Sequence, residues 1–466
     1  AAAGAAPAQD LAQDLAQDLG NTHTASVCDV RRSPYSAVGD NSTDDTVAIQ
    51  RAIDNYRCDT VRLSGPGTTY RISRSLALRS NLTLQFDANT TLFSAQRMCN
   101  PHIISAGANA SVQGSSTSCQ QNPRCPTLYW PHGPTAVLCG TNLTNVAVVG
   151  AGAHAGSTID GGGIPWYSAG LRNASMWGTG PRMFELAWSR NVTISGVRFQ
   201  NSPSWTVHPT FCEDVLVEHV EIINPRFTPN TDGFDPDSCV NVVLRHSLID
   251  TGDDGISIKS MNSTVPGSSH IMMPTRNVHI HHTKVLSRNV CIGSATFGGV
   301  HDVVVEDCEI GDLEGSSPWA IKYKSHQNSP GPMSNHTWRR LRVGKIWSNP
   351  YQQPDAGYFM SIELLYHPLI PHRACESWNC PTFENISFVD ISIAAAQRAG
   401  GIHGLPGDPL RGLVFRNVTF ETLPKIGWNC GFVDIATFEA EGVVPPLQCK
   451  SATQPVSYKR ERSRRR

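Results

Sequence analysis

Residues 191–199 read NVTISGVRF and residues 214–223 read DVLVEHVEII. Each opens on Asn or Asp and then alternates Val, Ile or Leu with polar residues, the period of a strand with one buried face. The same alternation returns in NVAVVG (145–150), NVVLRHSLI (241–249), NVHIHHTKV (277–285), DVVVEDCEI (302–310) and ISFVDISI (386–393). Successive starts lie 23 residues apart from Asn191 to Asp214, 27 from Asp214 to Asn241 and 25 from Asn277 to Asp302. Amphipathic helices between these strands are lacking, so a doubly wound α/β sheet fits poorly. A loose repeat of this length predicts an all-β parallel β-helix in which each coil stacks on the last. The rival is a large sandwich or propeller, but propeller blades carry stronger signatures.

Outward from the repeat, DDTVAIQRAIDNY (44–56) reads as a helix with Asp44 near its N-terminus, suited to capping the open end of the core. Residues 1–24 are a low-complexity extension carrying the repeat AQDL, and residues 451–466 form a tail that ends in the basic run KRERSRRR. A solvated, flexible end is the expected reading of that run. Between them, residues 25–450 are expected to form one β-helical domain.

Charged residues make up 17% of the 466-residue chain and the formal net charge is −1, so no global field draws it to nucleic acid or to a membrane surface. An anionic ligand would have to be met by a few local cations. No apolar run reaches the roughly eighteen residues of a membrane span. The 14 cysteines show no paired zinc-type spacing, which favours disulfides and an oxidising compartment. N-x-S/T sequons at Asn41, Asn81, Asn89, Asn109, Asn142, Asn173, Asn191, Asn262, Asn335, Asn385 and Asn417 point the same way. A secreted glycoprotein, extracellular or in the cell wall, is the expectation. It is expected to be a monomer, because the coils already bury one another.

Chemistry concentrates in TPNTDGFDPDSCVNVVLRHSLIDTGDDGISIKS (228–260). Asp232 and Asp253 are 21 residues apart, close to one coil, so a carboxylate on one coil is expected above a carboxylate on the next, about 4.8 Å away. Carboxylates that close repel, and a site that forces their pKa values apart holds an acid and a base. Spacing alone leaves a calcium-binding or solvated acidic turn open. Alternation from Ile256 and Ile258, run back unbroken, would drive Asp254 into the core. The backbone is therefore predicted to break near Gly252 or Gly255, with Asp253 and Asp254 facing one cleft beside Asp232. Lys322 and Lys324 in WAIKYKS (319–325) share a strand face. They are either plain surface or a grip for a substrate carboxylate.

The order N-T-D (230–232), G-D-D (252–254), an I-G-S loop (292–294) and a lysine-bearing strand resembles glycoside hydrolase family 28, the polygalacturonases and their relatives. Similar segments run through most of the chain, from DVRRSPYSAVGDNSTDDTVAIQRAID (29–54) through IDGGGIPWY (159–167) to NSPSWTVHPT (201–210). The resemblance implies a right-handed parallel β-helix that hydrolyses α-1,4-galacturonosyl bonds in pectin with inversion, without metal or other cofactor. It implies Asp253 as general acid, with Asp232 and Asp254 activating water. Lys322 and Lys324 would bind the substrate carboxylate, and Asn230 and Tyr366 join the substrate-binding set. Arg288 stands where the family usually has an active-site histidine; it would meet a uronate carboxylate or face solvent. Lys322 replaces the usual arginine, exchanging a fork for a point charge. These departures leave open a rhamnogalacturonan or xylogalacturonan hydrolase, or a wall-polysaccharide-binding protein without turnover. Bridges implied by the resemblance join Cys375 to Cys380 and Cys430 to Cys449, while Cys28 with Cys58 would clip the N-terminal cap. Cys291 is expected to be a buried free thiol.

Overall fold

The computed structural model describes residues 26–449 apart from 97–120, 127–132, 173–178, 227, 264–270, 287, 316, 326–328, 348–356, 365–380 and 406–407. Tyr366, Cys375, Cys380, Asn109 and Asn173, the side chain of Asn262, and both terminal extensions lie outside the described residues.

The strands pair in parallel, coil upon coil, as the repeat predicts. One sheet gathers 22 strands from Val27–Asp29 to Glu439–Glu441. Its inward positions form columns: Val192, Val215, Val242, Val278 and Val303 are in register through five coils. Beside them run Ile194, Val217, Leu244, Ile280, Val305, Trp338 and Phe388. All are essentially inaccessible to solvent, and each such aliphatic side chain contributes about 1.5–3 kcal/mol on burial. The alternation in sequence is therefore one face of a stack, repeated.

The Asn or Asp opening each segment has its own cause. Asn145, Asn191, Asp214, Asn241, Asn277 and Asp302 all adopt the left-handed conformation, with φ between 54° and 58°. This is a corner that Asn and Asp tolerate better than other residues with a Cβ. Their amides also bond from coil to coil: Asn191 Nδ2 donates to Asn145 Oδ1 at 2.8 Å, Asn241 to Asp214 at 2.8 Å and Asn277 to Asn241 at 2.8 Å. Five of the sequon residues, Asn81, Asn191, Asn335, Asn385 and Asn417, belong to such ladders, so the fold itself accounts for an asparagine there.

The third face of the coil positions the site. A three-stranded sheet (Leu76–Ala77, Leu138–Thr141, Phe184–Ala187) and a six-stranded sheet beginning at Ile256–Ser260 are joined only by single bridges. These run Phe184 to Val207 to Phe234 to Ile256 and Ala187 to Thr210 to Asp237 to Lys259. Pro209 and Pro236 sit in the two intervening coils and have no N–H to give a ladder. The regular sheet is interrupted where the acidic segments pass.

At the N-terminal end the helix Thr46–Ile53 buries Thr46, Ile49, Ala52 and Ile53 against the stack, and Asp44 Oδ1 accepts from the Thr46 N–H at 3.1 Å. The Cys28–Cys58 disulfide ties the first strand to the segment after this helix, and Cys430–Cys449 closes the far end. A bridge between Cys125 and Cys139 and a second helix, Ile164–Arg172 with Pro165 in its first turn, were not expected. Cys291 is a buried free thiol, pushed up to about 12 by burial.

Candidate active site

The backbone does break where alternation demanded it. The chain bends at Gly252 and Asp253 and becomes regular only at Ile256, in the strand Ile256–Ser260. Thr231 Oγ1 accepts from the Gly252 N–H at 3.2 Å, and Thr251 Oγ1 donates to the Asp253 carbonyl at 2.8 Å. Gly252 is packed so closely that a Cβ there would lie 2.2 Å from the Thr228 carbonyl oxygen. Ile256 and Ile258 then point into the core, and Ser257 and Lys259 take the opposite face, also buried.

The coil offset at the site is 22 residues, one more than the 21 that separate Asp232 from Asp253, because Phe234 pairs with Ile256 and the Gly233 N–H donates to the Asp254 carbonyl at 3.0 Å. Asp232 is consequently in register with Asp254, while Asp253 stands off the ladder at the bend. Its carboxylate accepts from the Asn230 N–H at 2.8 Å and from the Asp254 N–H at 3.0 Å. Asp253 is the partly exposed member of the three; Asp232 and Asp254 are buried.

The buried pair live in opposite electrostatic surroundings. Burial and the neighbouring Asp235 push the Asp232 carboxyl well above the usual range, in spite of Lys259. Burial would also raise Asp254, but Lys324 and then Lys259 outweigh it and hold that carboxyl well below the usual range. Lys324 forms an ion pair with Asp254 Oδ2. Lys322, equally buried, sits 3.8 Å from the centroid of the Trp319 ring. Neither lysine is plain surface: both lie at about one-twentieth exposure.

Asp235 and Lys259 complete the cluster and were missed as site residues. Lys259 Nζ lies 3.5 Å from Asp232 Oδ2 and 3.5 Å from Asp235 Oδ2, and donates to Ser257 Oγ at 2.5 Å. It also faces the Trp205 ring at 4.7 Å. Burial raises the Asp235 carboxyl to about 6 even though Lys259 and His208 act against it. Behind them His208 Nδ1 meets Glu185 Oε1 at 2.9 Å, with Asp237 Oδ2 3.7 Å from its Nε2. The density of Asp between 232 and 237 was the available signal for Asp235. Nothing local in the sequence says which corner Lys259 overlies.

Arg288 neither stands free in solvent nor sits among the three carboxylates. Its Nε donates to the Gly252 carbonyl at 2.9 Å, so it braces the bend that carries Asp253. The structure thus brings together Asp232, Asp254, Lys322 and Lys324, places Asp253 and Asn230 at the adjoining bend, and sets Arg288 beneath that bend. Two carboxylates with pKa values driven apart, a third more exposed, and a lysine on the depressed one suit acid–base chemistry on a polar substrate.

Comparison with known proteins agrees with this chemistry. Residues 73–351 match the family model for glycosyl hydrolases family 28. A probable polygalacturonase of Vitis vinifera is 26% identical over 432 residues, covering 88% of this chain and 78% of its own. Among solved structures, a polygalacturonase from Erwinia carotovora ssp. carotovora superposes with a TM-score of 0.65 at 23% identity, over 88% of this chain and 96% of its own. A hyperthermoactive exopolygalacturonase from Thermotoga maritima gives a TM-score of 0.65 at 20% identity, over 89% and 91%. The fold shared with these structures is the right-handed parallel β-helix. With the match spanning more than half of its length, the chain belongs to glycosyl hydrolases family 28 and is a glycoside hydrolase.

Proposed function

We propose that this chain is a secreted hydrolase that cleaves α-1,4-galacturonosyl bonds in pectin with inversion of configuration. The observation that carries the reading is the split environment of the three carboxylates. Asp254 is kept ionised by Lys324, Asp232 stands in register beside it, and Asp253 projects from a braced bend. In this mechanism Asp254, helped by Asp232, takes a proton from water as the water oxygen attacks the anomeric carbon. Asp253 gives its proton to the departing glycosidic oxygen from the other side, so one bond forms, one breaks, and the configuration inverts.

Substrate class follows from the buried cations. Lys322 beside Trp319 offers a charge and an aromatic face to a uronate ring, and the polygalacturonase names of the similar proteins agree with galacturonan as the polymer. Lys324 serves Asp254 first, so its contribution to substrate is through that carboxylate. Secretion is supported by three disulfides among the described residues, where no helix is long and apolar enough to cross a membrane. The proposed domain is the β-helix of residues 25–450, acting as a monomer.

Asp253→Asn tests the reading. Reducing-sugar release from polygalacturonate is expected to fall by about 10²–10⁴-fold, the usual worth of a general acid, with the circular dichroism spectrum unchanged. Near-normal release by this variant refutes the assignment. Running the wild-type chain on polygalacturonate, rhamnogalacturonan and xylogalacturonan identifies the polymer, and an unsaturated, ultraviolet-absorbing product would make the enzyme a lyase instead.

A further inference from the structure

Away from the carboxylate cleft, on the corner that joins two strands within each coil, the register stacks histidines. His219, His246 and His282 occupy equivalent left-handed positions in three successive coils, with φ of 51°, 50° and 50°. The His219 N–H donates to the Arg245 carbonyl at 3.2 Å and the His246 N–H to the His281 carbonyl at 3.3 Å, which locks these corners one above another. His281 ends the strand Thr275–His281 and is paired with Arg245 of the coil before. The sequence run His279–Ile280–His281–His282 thus delivers two rings to the corner that His246 reaches from the preceding coil.

The rings converge. One nitrogen from each of His246, His281 and His282 lies within 4.8 Å of the other two. His281 Nδ1 and His282 Nδ1 are 2.8 Å apart, and the His246 and His282 centroids are separated by 5.0 Å. His246 and His282 are exposed and His281 is half-buried, so the cluster opens to solvent. Around it, Arg245 is paired with Glu218 at 2.7 Å, and His279 Nε2 contacts Glu306 Oε1 at 2.8 Å. No carboxylate joins the three converging nitrogens within the described cluster.

We infer that His246, His281 and His282 form a binding site for an imidazole-preferring divalent transition-metal ion such as Zn²⁺, clamping two successive coils. Ligation by nitrogen at about 2.0–2.1 Å in a tetrahedral shell sets neighbouring nitrogens about 3.3 Å apart. The His281 and His282 nitrogens at 2.8 Å are closer than that value and all three nitrogens lie within 4.8 Å, so binding requires the exposed rings to turn. Three imidazole nitrogens and no oxygen ligand exclude Ca²⁺ and Mg²⁺, which take oxygen shells. The fourth position faces solvent, and a ligand there would be water.

The site makes a separate prediction from the hydrolase reading, since none of these residues belongs to the carboxylate cluster. Chelator-stripped full-length chain at pH 7.5 would be titrated calorimetrically with ZnCl₂, alongside His246→Ala, His282→Ala and the double variant. Wild type is expected to take up one Zn²⁺ that the double variant lacks, and to gain thermal midpoint on loading where the variants do not. Loading with Cu²⁺ should give nitrogen superhyperfine structure in the electron paramagnetic resonance spectrum, lost in the double variant. Either no Zn²⁺ uptake by wild type at about 100 μM free ion, or identical uptake by the double variant, overturns the inference. Hydrolysis by His246→Ala on polygalacturonate should equal that of wild type, which shows that the variant is folded.

Discussion

Lys259→Met removes the cation that sits between two buried carboxylates, and its effect should depend strongly on pH. Lys259 Nζ is 3.5 Å from an oxygen of each of Asp232 and Asp235, and the lysine is about 5% exposed. At an effective dielectric constant of about 20, each contact is worth about 5 kcal/mol of attraction, much of it offset by the cost of burying the lysine. Breaking a buried pair from one side typically costs about 3–5 kcal/mol, because the partner charges stay buried and uncompensated. The sign follows from the raised carboxyls. Asp235 titrates at about 6 and Asp232 well above its ordinary value, so both are protonated in acid and have no charge for Lys259 to meet. Stability linked to these protonated carboxyls is fully present below the unfolded-state value and is lost as pH rises through about 6. Removing Lys259 lifts both carboxyls further, so that loss steepens. Urea denaturation at pH 7.5 should show the variant less stable by about 3–5 kcal/mol, whereas at pH 4.5 the gap should shrink to about 1 kcal/mol. An equal loss at both pH values would refute the electrostatic account and make Lys259 a packing residue.

Two further variants probe the same site. Lys324→Gln takes away the charge that depresses Asp254, so that carboxyl should rise and the acidic limb of the kcat/KM–pH profile should move to higher pH by about one unit or more; an unmoved limb would deny Asp254 the role of base. Arg288→Ala releases the Gly252 carbonyl and lets the Asp253 bend shift, so kcat should fall about tenfold or more with KM little changed. A raised KM at constant kcat would instead put Arg288 on the substrate.

What the sequence reveals and conceals here has a physical pattern. The β-helix was legible because its two determinants are local: a period-two apolar face and an Asn or Asp at the left-handed corner that opens the repeated strand segments. The break at Gly252–Asp253 was legible for the same kind of reason, since an unbroken strand would have buried Asp254 in the core. Register was not. A one-residue difference in coil offset decides whether Asp232 meets Asp253 or Asp254, and offsets along this chain vary because loops of differing length leave each coil. Lys259 shows the consequence most clearly. Its face relative to Ile256 and Ile258 could be read, yet its two carboxylate partners lie on the preceding coil, at positions fixed by the Phe234–Ile256 and Asp237–Lys259 bridges. The same holds for Arg288, whose partner is a backbone carbonyl 36 residues earlier, and for the Cys125–Cys139 bridge. Pro209 and Pro236 are visible in the sequence, but only the fold shows that they interrupt the third sheet at the acidic coils.

The most direct test of the central claim is the configuration of the first product. Proton NMR of polygalacturonate digested by the wild-type chain, read before mutarotation, should show the new reducing end as the β anomer. That is the outcome of direct displacement by a water held at Asp232 and Asp254 opposite the acid Asp253. The α anomer appearing first would mean that a carboxylate attacks the sugar itself, and the division of labour proposed for the three aspartates would be wrong.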